Sequence, residues 1–236
     1  MIPLRDANPT RRQALVTLAI VIACGVAFGW ELGLLARSDA AFEVAITEWG
    51  VVPGELTAAW GRGEFLSGET VTLLSSQFMH GGWLHLLGNL LYLWIFGNNV
   101  EDRMGRPGFL LFYLTGGVLA GLAQVAIDPQ SPIPTIGASG AIAATLGAYL
   151  VFFPGARVTS LVFLGFFYQL VRIPAAIVLV LWFALQLVDG IGSLGPTQSG
   201  GVAFFAHIGG FVFGALVAWF LTALSGGRPA SRVGVG

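Results

Sequence analysis

The sequence predicts an all-α membrane protein, a bundle of six transmembrane helices with a long outer loop between the first and second. Three observations carry this expectation. Of 236 residues, 56% are hydrophobic and 10% charged, and the mean hydropathy is +0.81, where a soluble domain carries about 25% charged residues. The apolar residues are gathered into six runs rather than spread along the chain. The arginines between those runs are strongly biased to one side of the membrane, as the positive-inside rule requires of a multi-pass protein.

Residues 1–13 read as a short cytoplasmic tail carrying Arg5, Arg11 and Arg12. Residues 14–224 form the membrane domain, and 225–236 a second cytoplasmic tail. The first apolar run, 14–35, invites a signal-peptide reading, because Val21-Ile22-Ala23-Cys24 faintly resembles a lipoprotein cleavage box. The apolar pattern continues past Cys24 through Trp30, long enough to span, so the run reads as a transmembrane helix. Residues 37–79 interleave six acids with Phe42, Trp49, Trp60 and Phe65. A connection of this length is usually functional. Two arrangements fit it equally: segments lying in the membrane interface, or a small folded cap outside the membrane. Further runs follow at 82–100, 107–127, 139–153, 174–188 and 202–224. Between the fourth and fifth runs, residues 158–167 are too short to span twice and read as a hairpin or an interfacial segment.

With the N-terminus inside, nine arginines fall on the inner side, while only Arg37 and Arg62 fall outside, with the six acids of the long loop. Both termini are therefore expected in the cytoplasm. A net charge of −1 gives no reason to expect a nucleic-acid partner. The single cysteine, Cys24, excludes an intrachain disulfide and a zinc cluster of cysteines. No internal repeat is evident, which counts against a small transporter.

Against this apolar background a few polar residues stand out. Ser139 sits in Gly137-Ala138-Ser139-Gly140, where a polar, proline-broken loop gives way to an apolar run. Small residues there allow a tight turn, and a helix N-terminus favours developing negative charge. Residues 139–153 would rise roughly 22 Å as a helix, short of the ~30 Å hydrocarbon core, which sinks Ser139 below the outer surface. His85 and Asn89 share one helix face at i, i+4, and His207 lies at similar depth on the last run. Singly, each has a structural reading: a serine as N-cap, a histidine or asparagine as a tie between helices. Four such side chains from three helices in one layer point to function.

The chemistry available is serine plus imidazole. Ser139 would be the nucleophile and His207 the general base and later the acid, with His85, Asn89 and the Ser139 N–H donating to an oxyanion. No acid is expected at this depth, so the pair would act as a dyad. No metal is expected either, because His80 and His85 share no clean helix face and lack a carboxylate or cysteine partner. Gly210 and Gly214 make a small-xxx-small face that would pack on the Ser139, Gly140, Ala143 and Ala144 side of the fourth helix.

Together these residues resemble the rhomboid family of intramembrane serine proteases. Gly137-Ala138-Ser139-Gly140 matches its GxSG, His85 to Asn89 its HxxxN, and Ala206-His207 with Gly210 and Gly214 its AHxxGxxxG. Glu101-Asp102-Arg103-Met104-Gly105 resembles its acidic–basic–Gly turn, and the likeness runs from about residue 72 to 224. The resemblance implies a six-helix core with a water-filled cavity open outward. It implies cleavage of single-span substrates in or near their membrane segment, without metal, ATP or any other cofactor. By the same likeness Ser139 is the nucleophile, His207 the base, and His85 and Asn89 the oxyanion shell.

Two positions depart from the family. Val71-Thr72 stands where some members carry Trp-Arg, and Ala143 stands where some carry a tyrosine that stacks on the histidine. Which group orients His207 is left open. The expected function is an intramembrane serine endopeptidase, with a proteolytically silent, client-binding relative as the alternative. Substrates are expected to enter laterally between the second and fifth helices, past Trp182 and Phe183 or beside them if those aromatics face lipid. Residues 189–201, rich in Gly and Ser, read as a mobile cap or a passive connector. The partners expected are single-span membrane proteins and the lipid bilayer, in a bacterial inner membrane, with no oligomer required.

Overall fold

A computed structural model describes residues 1–164, 167–192 and 203–226. Most of the expected cap at 189–201, and the C-terminal tail from 227 onward, lie outside the described residues. The fold is mostly helical, with one small three-stranded sheet; a hairpin is one of the two readings of residues 158–167, while the all-α expectation does not contain the third strand.

Helix α1 (Leu15–Leu35) buries a single stripe of Ile20, Cys24, Phe28 and Glu31. Its first turn has no side-chain cap of its own. The Glu101 carboxylate supplies one from elsewhere in the chain, accepting the Val16 and Thr17 N–H groups at 3.0 and 2.7 Å and the Thr17 hydroxyl at 2.8 Å. A carboxylate here satisfies orphan donors and meets the positive end of the helix dipole.

The long connection folds into three short helices. Helix α2 (Asp39–Trp49) is capped by the Ser38 hydroxyl, which accepts the Ala41 N–H at 3.1 Å. Helix α3 (Pro53–Gly61) starts on a proline, whose missing N–H costs nothing there. Helix α4 (Gly68–Ser75) runs into a 3₁₀ turn, Ser76–Phe78. Val51, Leu56 and Leu73 pack with Val125 in a small core of their own.

The second apolar run is one helix with a flaw in its middle. Helix α5 (Trp83–Tyr92) passes through a π-helical turn, Leu93–Gly97, into α6 (Asn98–Met104). Gly105, at φ 77°, ends it, and α7 (Arg106–Ile127) begins at once with Pro107 in its first turn. Helix α8 (Ser139–Phe152) is buried continuously from Gly140 to Tyr149, as expected of a helix apolar on every side. It is clasped between α7 and α10 (Phe204–Leu224). Helix α9 (Ala175–Gly192) leans on α10 through Phe183, stacked 4.4 Å from Phe211.

Glycine decides how closely α8 and α10 approach. A Cβ on Gly210 would collide with the Gly140 carbonyl oxygen, one on Gly214 with that of Ala144, and one on Gly147 with that of Phe211. Backbone meets backbone from both sides, which is the contact that a small-xxx-small face allows.

Strands β2 (Arg157–Leu164) and β3 (Phe167–Pro174) form an antiparallel hairpin between α8 and α9. The N-terminal segment is not a free tail. Residues Ile2–Asp6 form β1, antiparallel to β2, in the sheet order β1-β2-β3. Pro3 lacks an N–H, and an edge strand tolerates that. Asp6 fastens the strand to the helices: its Oδ2 accepts from Asn99 Nδ2 at 2.7 Å and from the Tyr149 hydroxyl at 2.8 Å. Among the described helices, α1, α7 and α10 are long and apolar enough to cross a membrane, and α8 and α9 are shorter apolar helices.

Candidate active site

Ser139 is the first residue of α8, and His207 lies in the first turn of α10. The glycine contacts between those helices bring the two together, with Ser139 Oγ 2.7 Å from His207 Nε2. They open onto a cavity of about 830 Å³ whose lining includes His85, Asn89, Gly137 and Gly140. All four polar residues singled out from the sequence therefore face one space.

The loop ahead of Ser139 is held by its backbone. Val51 and Thr135 exchange a pair of hydrogen bonds at 3.0 and 2.8 Å, and the Gly137 N–H donates to the Ser76 carbonyl at 2.8 Å. Gly137 adopts φ 126°, a region that side chains rarely enter. A Cβ there would also stand 2.7 Å from His85 Nε2. The first glycine of the motif thus serves two needs, a backbone conformation and room for an imidazole.

Asn89 is buried, and its Nδ2 has no hydrogen-bond partner. A buried unsatisfied donor is costly, and this one lines the cavity beside the serine. His85 packs edge-on against His80, ring centres 5.1 Å apart. His80 is anchored in turn by Glu31, whose carboxylate accepts the His80 N–H at 3.0 and 3.3 Å. Glu31 corrects the expectation that no acid lies in the apolar runs near this depth. It is fully buried in α1 and reaches the cavity only through the histidine pair.

Two further groups bear on His207, both from α9. Gln186 Oε1 lies 2.7 Å from His207 Nδ1, and the Trp182 ring sits 5.8 Å from the imidazole at a 40° tilt. A signal for Gln186 and Glu31 was present in the sequence, since each is a strongly polar residue inside an otherwise apolar run. Their partners were not readable, because those lie on other helices. Among the described residues, no three of His, Cys, Asp and Glu come together as a metal site.

Other motif residues serve elsewhere. Glu101 caps α1, and the Asp102 carboxylate accepts the Arg11 N–H at 3.1 Å. The Arg103 guanidinium lies over the Phe152 ring at 5.6 Å, a cation–π contact. Neither Glu101 nor Arg103 joins the cavity.

The family model of the rhomboid domain matches residues 67–224. The chain belongs to the rhomboid family. It is a multi-pass membrane protein of that family, and its curated relatives include proteins of bacteria, mitochondria and chloroplasts. It is 26% identical to the mitochondrial Rhomboid protein 1 of Saccharomyces cerevisiae over 157 residues, 64% of this chain and 42% of that protein. It is 40% identical to the Rhomboid protease GluP of Bacillus subtilis over 99 residues, 41% of this chain and 19% of GluP. Against the RHOMBOID-like protein 4 of Arabidopsis thaliana the identity is 36% over 149 residues, 63% of this chain and 33% of that one. The matched part is thus half or less of each of these relatives.

Of the two departures from the rhomboid pattern, Val71-Thr72 falls within α4, where the Thr72 hydroxyl donates to the Glu69 carbonyl at 2.6 Å. Ala143 is buried in α8. The aromatic beside this rhomboid's histidine comes instead from α9, as Trp182.

Proposed function

We propose that this chain is an intramembrane serine endopeptidase that cleaves single-span membrane proteins in or near their membrane segment. The observation that carries the reading is the 2.7 Å contact between Ser139 Oγ and His207 Nε2, set in a cavity where the Asn89 amide donor is unpartnered. The protease named among its relatives supports it.

In this mechanism Ser139 Oγ adds to the scissile carbonyl carbon as its proton passes to His207 Nε2. The carbonyl electron pair moves onto oxygen, and Asn89, His85 and the Ser139 N–H receive that charge. Collapse breaks the C–N bond, and His207 returns its proton to the leaving amine. Water then adds to the acyl ester with His207 as base, which releases the acid and restores Ser139. No cofactor enters any step.

In the same reading, α1, the α5–α6 helix and α7 to α10 make six crossings, with both termini cytoplasmic in a bacterial inner membrane. The arginine distribution supports that orientation. A substrate helix would approach laterally between α5 and α9 and unwind locally, because a helical backbone keeps its carbonyls bonded. Segments with Gly or Pro near the outer face should be cut best.

Purified protein in detergent, given a model single-span substrate, tests the reading. Cleavage lost in Ser139→Ala and His207→Ala, with a serine-reactive phosphonate mapped to Ser139, is the expected result. Absence of both cleavage and label from folded protein would favour the silent, client-binding relative. Cleavage that survives Ser139→Ala would sink the mechanism.

A further inference from the structure

We infer that Gln186 of α9 is a positioning residue that sets the tautomer of His207, and that this rhomboid uses an amide where a serine protease triad places a carboxylate. The inference rests on the Ser139–His207 reading above and adds a third member to it.

The inference follows from which atoms can donate. A side-chain amide oxygen only accepts, so the 2.7 Å contact at Gln186 Oε1 requires the proton on His207 Nδ1. Neutral imidazole carries one ring proton, so Nε2 is left bare. The 2.7 Å contact at Nε2 is then one in which the Ser139 hydroxyl donates, the arrangement a general base needs before attack. Without a partner at Nδ1, a histidine side chain favours the opposite tautomer, with its proton on Nε2, where it cannot accept from serine. Trp182, one turn away on the same helix, packs against the imidazole with ring centres 5.8 Å apart.

The surroundings leave this task to Gln186. His207 faces Ser139 of α8, Trp182 and Gln186 of α9, and His85 of α5 across the cavity. Gln124 of α7 holds the backbone beside it, accepting the Ala206 N–H at 3.3 Å. Among the described residues the cavity lining holds no carboxylate. Imidazolium formed during attack is thus stabilised by a neutral dipole, and the base is weaker than one backed by an acid.

Nitrogen-15 NMR of histidine in the purified protein tests this directly, with the His207 signal assigned by its loss in His207→Ala. Wild type should show the proton on Nδ1, and Gln186→Leu should shift it toward Nε2. In cleavage assays Gln186→Leu should lower kcat by roughly tenfold or more at unchanged KM. Gln186→Glu should restore much of that rate and move the acid limb of the kcat–pH profile upward, because a carboxylate favours imidazolium. A purely structural role for Gln186 would leave the tautomer unmoved in Gln186→Leu. Wild type with its proton on Nε2, or Gln186→Leu with kcat within about twofold of wild type, would overturn the inference. The NMR arm needs no substrate, so it still decides the role of Gln186 if the protease reading itself fails.

Discussion

Two side chains show how a membrane interior makes single polar groups conspicuous. Asn89 keeps a buried donor without a partner beside Ser139; an oxyanion would supply the missing acceptor only as it forms. Asn89→Ala should therefore lower kcat by about 10²-fold, the usual cost of one such donor, with little change in the thermal midpoint. Comparing kcat with the unfolding curve of the same preparation checks this. Glu31 has a different task, because its carboxylate holds the His80 N–H, and His80 in turn backs His85. Glu31→Leu would leave that buried N–H unsatisfied, costing about 1–3 kcal/mol. Both stability in detergent and cleavage rate should fall. Stability unchanged in Glu31→Leu would show that the carboxylate is not needed there.

Among the elements, α8 and α10 depend most on one feature, the glycine contacts between their backbones. A side chain at Gly214 would meet the Ala144 carbonyl, and the helices would have to part. Gly214→Leu is expected to destabilise the protein by about 1–3 kcal/mol, as overpacking does. It should also separate Ser139 from His207, so phosphonate labelling should drop more steeply than stability. The sheet makes a second case. Burial lifts the Asp6 carboxyl from its ordinary 3.8 to about 6, while the donated Tyr149 hydroxyl works against the rise. A carboxyl with the higher pKa in the folded state stabilises most when protonated. Its contribution is full below pH 3.8 and is lost as pH rises through about 6. Hydrogen exchange across β1 should accordingly speed up over that window beyond its intrinsic pH trend, and Asp6→Asn should flatten the extra dependence.

For the whole molecule, orientation is the property that composition carries most openly. The proposed topology places α3 outside, with the ion pair that the Arg62 guanidinium makes to the Glu64 carboxylate at 2.6 Å just after it, and the α6–α7 corner at Gly105 inside. In a Cys24→Ser background, a cysteine introduced at Gly63 should react with an impermeant maleimide from the outer face of intact cells. One introduced at Gly105 should react only after the membrane is opened. The reverse pattern would invert the topology and place Ser139 near the wrong surface.

The apolar runs, the arginine bias and the spacing of Gly137, Ser139, His85, Asn89 and His207 were legible along the chain, because each is a local pattern with a local cause. Hydrocarbon demands long apolar helices, and a polar residue inside one stands out wherever its partner lies. Three features needed the folded chain: Gln186 against His207, Glu31 against His80, and the N-terminal strand against the hairpin after α8. Each joins residues far apart in sequence, and which faces meet is set by packing over the whole bundle, so no single stretch of the chain carries it.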